Sequence, residues 1–253
     1  MKLKSIVVLL AFVLLFTARA AAGDLTVAVA ANVQYTFEEL SAAFEHESGI
    51  HVKPVIGSSG KLTAQIDNGA PFDVFLSADM DYPAILEAKG QTLNKPRTYA
   101  YGLLVLWTMS DIDLSRGIGA VAGDNVRKIA IAAPNTAPYG RQAVKALKHY
   151  DLYQKVKDKF VYGESIAQAS QFVTTKAAEV GFTAMSIVAA PSMAGKGQWI
   201  EIDRAAYEPI AQGVVILRHA KYNDPVAAQK FFDFIFSEKG QEIFLKYGYV
   251  LPQ

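Results

Sequence analysis

Cysteine is absent from all 253 residues. That excludes thiol nucleophiles, thiolate metal sites and disulfide staples, so stability must come from a packed core, which about 230 residues can supply. Histidine is nearly absent too: His46, His51, His149 and His219 are scattered, and no two have the i, i+4 spacing of a helical zinc motif. No direct metal ligands are therefore expected, and no cofactor. An excess of one charge is also missing, with 25 Lys and Arg against 24 Asp and Glu. Without a basic field the chain has nothing to hold nucleic acid or an anionic membrane surface. Low-complexity tracts and strong internal repeats are lacking as well.

The one long apolar run lies at the start. Lys2 and Lys4 precede an unbroken apolar stretch from Ile6 to Phe16, and small residues follow at Ala18, Ala20, Ala21 and Ala22. This is the pattern of a secretory signal peptide over residues 1–22, with cleavage after Ala20 or Ala22. About 11 apolar residues are too few for a membrane span, which needs roughly 20. Without Lys2, Lys4 and Arg19, the remaining chain carries 22 basic and 24 acidic residues, a formal charge near −2.

Behind the signal, β-rich apolar stretches alternate with helical patterns: Leu25–Ala30, Tyr35–Glu47, His51–Ile56, Leu62–Asn68 and Asp73–Ser77. Such alternation predicts βαβ units, hence an α/β fold with mostly parallel sheets flanked by helices. In the first helix Phe37, Leu40 and Phe44 fall on one face, and Gly49 follows as a stop signal. Tyr99–Thr108 reads as one long strand. A second series follows at Lys128–Ala132, Arg141–His149, Lys159–Tyr162, Ala167–Val180 and Gly181–Thr183, then Ile210–Leu217 and two C-terminal helical segments. Two lobes are expected, residues 24–103 with 214–253 and residues 104–213, joined by hinge strands near 99–108 and 208–217. A cleft should lie between them.

Four strand-to-helix turns share one character: Ala30-Ala31-Asn32, Gly57-Ser58-Ser59-Gly60, Asn135 to Gly140, and Gly163-Glu164-Ser165-Ile166. In a parallel sheet these turns lie at the carboxyl ends of the strands, where ligands bind. The unpaired N–H groups and partial positive charge of helix N-termini suit an anion without any Lys or Arg. Taken one at a time, Asn32, Ser59 and Ser165 also read as ordinary N-caps. Lys61 and Arg141, in first turns where the macrodipole disfavours a cation, are either solvated or lend positive potential to the cleft mouth.

Two enzyme motifs come near and fail. Around Gly57-Ser58-Ser59-Gly60-Lys61 neither serine is flanked as in a Gly-x-Ser-x-Gly elbow, and Leu62 follows Gly60-Lys61 where a P-loop needs Ser or Thr. Asp73, Asp79 and Asp81 could be paired catalytic carboxylates, but they read better as turn and helix-start residues. A hydrolase using Ser58 or Ser59 would lack an evident His or Lys partner.

Val29-Ala30-Ala31-Asn32, Gly57-Ser58-Ser59-Gly60, Asn68-Gly69-Ala70-Pro71, Asp73 to Asp79 and Gly248-Tyr249-Val250-Leu251-Pro252 together resemble, in order over nearly the whole chain, the periplasmic molybdate-binding proteins. The resemblance implies the two-lobed type II periplasmic binding fold. It further implies capture of molybdate or tungstate in the periplasm and delivery to the membrane permease of an ABC importer with a cytoplasmic ATPase, by a monomer that is not an enzyme. Carried over by motif, the ligand residues are Asn32, Ser59, Tyr139 and Ile166, with Ala31 as a neighbour. Ile166 would act through its backbone N–H, and Tyr139 through its backbone or its hydroxyl. Enteric-type members place a ligand-binding Tyr where this sequence has Ala184, and Tyr139 would compensate. Sulfate or an organic anion is the rival ligand.

Overall fold

The computed structural model describes residues 24–252, so the expected signal peptide lies outside the described residues. Two five-stranded sheets form, in the orders β2-β1-β3-β10-β4 and β7-β6-β8-β5-β9. The first comprises β1 (Leu25–Ala30), β2 (Val52–Gly57), β3 (Val74–Ser77), β4 (Arg97–Gly102) and β10 (Ile210–Ile216). The second comprises β5 (Leu104–Thr108), β6 (Ile129–Ala132), β7 (Phe160–Gly163), β8 (Val180–Ala184) and β9 (Gln198–Glu201). The helices are α1 (Gln34–Ser48), α2 (Ser59–Asp67), α3 (Asp81–Ala88), α4 (Pro138–His149), α5 (Tyr153–Val156), α6 (Ile166–Thr174), α7 (Met185–Val188), α8 (Pro225–Ile235) and α9 (Glu238–Lys246).

β1 is parallel to β2 and β3, and β6 to β7 and β8, as the alternating pattern predicts. In each sheet the antiparallel member is the strand by which the chain arrives from the other lobe. β5 runs against β8 and β9, and β10 runs against β3 and β4. The two sheets therefore share one plan, and both point the carboxyl ends of their parallel strands into the space between the lobes.

Several expected boundaries move. The stretch 99–108 is two strands in different sheets, broken at Leu103 where the chain crosses. The return crossing falls in residues 202–209, not along a second long strand, and Ile210 to Gly213, expected in the second lobe, pair with β4 in the first sheet. An apolar run looks the same whichever sheet buries it, so hydrophobicity alone does not reveal where a chain changes sheets. The helix expected over 167–180 ends at Thr174, and Val180 already belongs to β8.

Local chemistry accounts for most of these elements. β1 is buried on both faces, as a central parallel strand must be. In α1 the predicted face is buried: Phe37 and Phe44 meet Phe231 of α8 at ring-centroid distances of 5.9 and 5.0 Å. Gly49 ends α1 at φ 70°, a left-handed conformation that glycine adopts without strain. The C-terminal helices are thereby anchored to the first lobe and carry Tyr249 back to the cleft.

Candidate functional site

Ten residues line a small pocket between the lobes: Ala30, Ala31, Asn32, Ser58, Ser59, Ala78, Ala137, Pro138, Tyr139 and Ile166. All four turns singled out in the sequence reach it, and Asn32, Ser59, Tyr139, Ile166 and Ala31 are brought together there. The first lobe supplies the ends of β1, β2 and β3; the second supplies the starts of α4 and α6. No Lys, Arg, Asp, Glu or His lines the cavity. What it offers is backbone N–H groups of first helical turns, which have no partner inside their own helices, together with hydroxyls and methyl groups.

Asn32 and Ser59 are not helix caps. Asn32 sits in a 3₁₀ turn leading into α1, and its Nδ2 donates to Gln212 Oε1 at 2.8 Å and to the Tyr249 hydroxyl at 2.9 Å. Gln212 is fully buried on β10 and also donates to the carbonyls of Ile210 and Ala78. The Asn32 carbonyl accepts from Ser186 Oγ at 2.7 Å, a bond across the cleft, and from Tyr249 at 3.2 Å. Ser58, not Ser59, occupies the N-cap position of α2, and it makes no side-chain cap. Ser59 Oγ accepts the Ala78 N–H at 2.9 Å, which leaves its own hydroxyl proton to give. Ser165 does cap, accepting from the Gln168 N–H at 3.3 Å.

Tyr139 is 1% exposed. Its hydroxyl has no hydrogen-bond partner, like Ser58 Oγ and Asn32 Oδ1 beside the same cavity. Burial holds the Tyr139 hydroxyl well above the usual phenol range, and Tyr249, Tyr99 and Tyr207 push it the same way, while Asn32 opposes them. Burial likewise raises Tyr249 to about 12, opposed by the neighbouring Ser186, Asn32 and Thr36 side chains. The walls are neutral at physiological pH. Ala184 closes β8 opposite Leu104 and does not line the pocket.

The charged residues gather at the mouth instead. Arg141 of α4 pairs with Asp79 and lies 3.7 Å from Asp81, and its guanidinium stands over the Tyr82 ring. Lys61 meets Glu164 across the cleft at 2.6 Å. Neither cation is left free to attract an anion; each is neutralised by a carboxylate of the opposite lobe. Burial holds the Asp79 carboxyl above its ordinary range, outweighing the Tyr82 N–H and Arg141 that lower it. Two further bonds cross here, from Gly60 N–H to the Thr136 carbonyl at 2.9 Å and from the Tyr82 hydroxyl to the Asn135 carbonyl at 3.2 Å. Asp73 is structural, since its buried carboxylate takes the Thr26 N–H, Asn223 Nδ2 and His219 Nδ1 within 3.0 Å. Among the described residues no group of three or more His, Asp or Glu could hold a metal ion.

The sequence reading missed Ala78 and the pair Gln212 and Tyr249. Ala78 follows β3, a fifth strand end whose signal was available in Ser77-Ala78-Asp79. Gln212 and Tyr249 lie 180 and 217 residues from Asn32 and carry no local mark.

Two α/β lobes closed on a neutral pocket of helix starts define a two-lobed solute-binding protein with a site built for an anion. Residues 25–250 match the model for bacterial extracellular solute-binding proteins. The molybdate-binding protein ModA of Azotobacter vinelandii is 42% identical over 239 residues, covering 94% of each chain, and ModA of Rhodobacter capsulatus is 37% identical over 242 residues, covering 95% of this chain and 94% of the other. The solved periplasmic molybdate-binding protein of Azotobacter vinelandii superposes with a TM-score of 0.85 at 35% identity, over 91% of this chain and all of that one. The chain belongs to the bacterial extracellular solute-binding proteins, in the family of the molybdate-binding proteins.

Proposed function

We propose that this protein is a periplasmic receptor that captures molybdate, or the near-equivalent tungstate, between its lobes and delivers it to the membrane permease of an ABC importer driven by a cytoplasmic ATPase. The observation that carries this reading is the neutral pocket made from turns of both lobes. A dianion there can accept hydrogen bonds from the Asn32, Ser59, Tyr139 and Ile166 N–H groups and from the Ser59 hydroxyl, with Ala31 alongside. Tyr139 serves through its backbone, since its hydroxyl lies against Gly102. The ligand holds both lobes, so binding favours the closed form. Fixed backbone donors select by oxygen-to-oxygen span, which leaves the smaller sulfate with long contacts. No cofactor takes part. The protein works as a monomer, exported by a signal peptide over residues 1–22.

Isothermal titration of ligand-stripped protein with molybdate, tungstate, sulfate and phosphate tests the assignment. One-to-one binding of the first two alone is the expected result; sulfate bound as tightly as molybdate would overturn it.

Because the pocket walls stay neutral, affinity should be flat from about pH 6 to pH 9, where neither carboxylates nor ordinary tyrosines titrate. The raised pKa values of Tyr99, Tyr139 and Tyr249 add an alkaline limit. Their folded values exceed the unfolded one, so their contribution to stability is complete below about pH 10 and is lost as pH rises toward the folded values. Melting temperature against pH should accordingly decline above that point. An affinity that fell tenfold between pH 6 and pH 9 would instead require a titrating group in the pocket.

A further inference from the structure

Two glycines of the first lobe stand where the second lobe leaves no room for a side chain. Gly102 ends β4, one residue before the Leu103 crossing, and Gly60 sits in the first turn of α2. Neither has a positive φ, so neither is needed for a backbone conformation closed to other residues. Glycine weakens a helix or strand relative to alanine. What both positions share is the absence of room. A Cβ at Gly102 would overlap the Tyr139 hydroxyl, and would stand 3.0 Å from Tyr139 Cζ and 2.9 Å from Gln212 Nε2. A Cβ at Gly60 would come within 2.6 Å of the Tyr82 hydroxyl, 2.9 Å of Thr136 Cα and 3.0 Å of the Thr136 carbonyl oxygen. Tyr139 and Thr136 both belong to the second lobe. Gly248, by contrast, has φ 77° and is explained by its own backbone.

We infer that Gly60 and Gly102 are closure-determining positions, bare-backbone seats on the first lobe into which the Asn135 to Gly140 turn of the second lobe settles when the cleft shuts. Gly102 receives the Tyr139 ring at the hinge end, and Gly60 receives the Thr136 backbone at the mouth. The collisions exist only when the lobes are together. In an open form the second lobe withdraws and the Tyr139 and Thr136 contacts go with it; a methyl group at Gly60 then meets only the flexible end of Tyr82, while one at Gly102 still displaces the buried Gln212 amide. Alanine at either position acts as a wedge that lowers the fraction of molecules able to close, and the apparent Kd rises by the inverse of that fraction. Gly102 has the greater leverage, because a displacement beside a hinge is amplified at the mouth.

The inference rests on the proposed capture of molybdate between the lobes, and its test carries its own control. Gly60→Ala, Gly102→Ala, Tyr139→Phe and the double variant Gly102→Ala with Tyr139→Phe are titrated with molybdate beside the wild type, and each is melted without ligand. Both alanine variants should bind at least about tenfold more weakly, while the ligand-free melting temperature of Gly60→Ala holds or rises, as glycine replacement permits. Removing the hydroxyl in Gly102→Ala should recover about threefold or more in affinity, a non-additive response that marks direct contact. Alanine variants that bind like the wild type would overturn the proposal, as would affinity lost in step with ligand-free stability in Gly60→Ala. Failure of the wild type itself to bind molybdate would strike the ligand assignment instead.

Discussion

Ser59→Ala is expected to weaken molybdate binding by about 10- to 150-fold, the equivalent of the 1.5–3 kcal/mol typical of one hydrogen bond to a charged group. The reason lies in how the hydroxyl is used. Its lone pair already accepts the Ala78 N–H at 2.9 Å, so its proton is directed elsewhere, and the pocket is what remains. The side chain is 1% exposed, so bulk solvent scarcely competes for it. Alanine removes the donor and leaves the Ala78 N–H without its acceptor. Fold stability should fall too, by about 1–3 kcal/mol, the cost of leaving the buried Ala78 N–H unpaired. Titration together with a ligand-free melt checks both halves; unchanged affinity would remove Ser59 from the site.

Asn32→Ala should damage fold and binding together. The Asn32 amide joins Gln212 of β10 to Tyr249 of the C-terminal tail, and Gln212 is fully buried. Without it the Gln212 oxygen keeps only a 3.5 Å contact with the Tyr99 hydroxyl. Leaving buried polar groups unpaired costs about 1–3 kcal/mol each. For a chain of this size that corresponds to a fall in melting temperature of about 2–4 °C per kcal/mol. Affinity should drop by more than about tenfold, since the same network fixes the turn whose N–H faces the anion. Asn32→Asp is the sharper variant: it keeps the shape, cannot donate to Gln212 and brings negative charge to a site for a dianion. Calorimetry should find no binding there. An aspartate variant that bound molybdate normally would show that this side chain is remote from the ligand.

The contrast between these residues shows what was legible in the chain. Ser59 and Asn32 were readable because each follows an apolar strand and opens a helix, a local pattern. Their roles were not, because the same pattern fits a plain N-cap. Ser165 is a cap, Ser59 binds the next strand end, and Asn32 is held by two distant partners. Lys61 and Arg141 look alike in sequence, as cations at disfavoured helix starts, yet their meaning depends on Glu164 and Asp79 arriving from the other lobe. Gly60 and Gly102 could be read only once the space around them was known.

By itself the sequence determined what short-range physics controls. Alternating apolar stretches specified parallel α/β lobes, small and hydroxylated residues placed helix starts at strand ends, and the lack of cysteine and of surplus positive charge removed whole classes of function. Tertiary structure decided what depends on meeting: that the four turns converge, that the chain crosses at Leu103 and again within 202–209, and that Gln212 and Tyr249 support Asn32. A helix start fixes the direction of its own N–H groups, but no local interaction fixes where a second helix start will lie. Only the closure of one lobe on the other brings them to a single pocket.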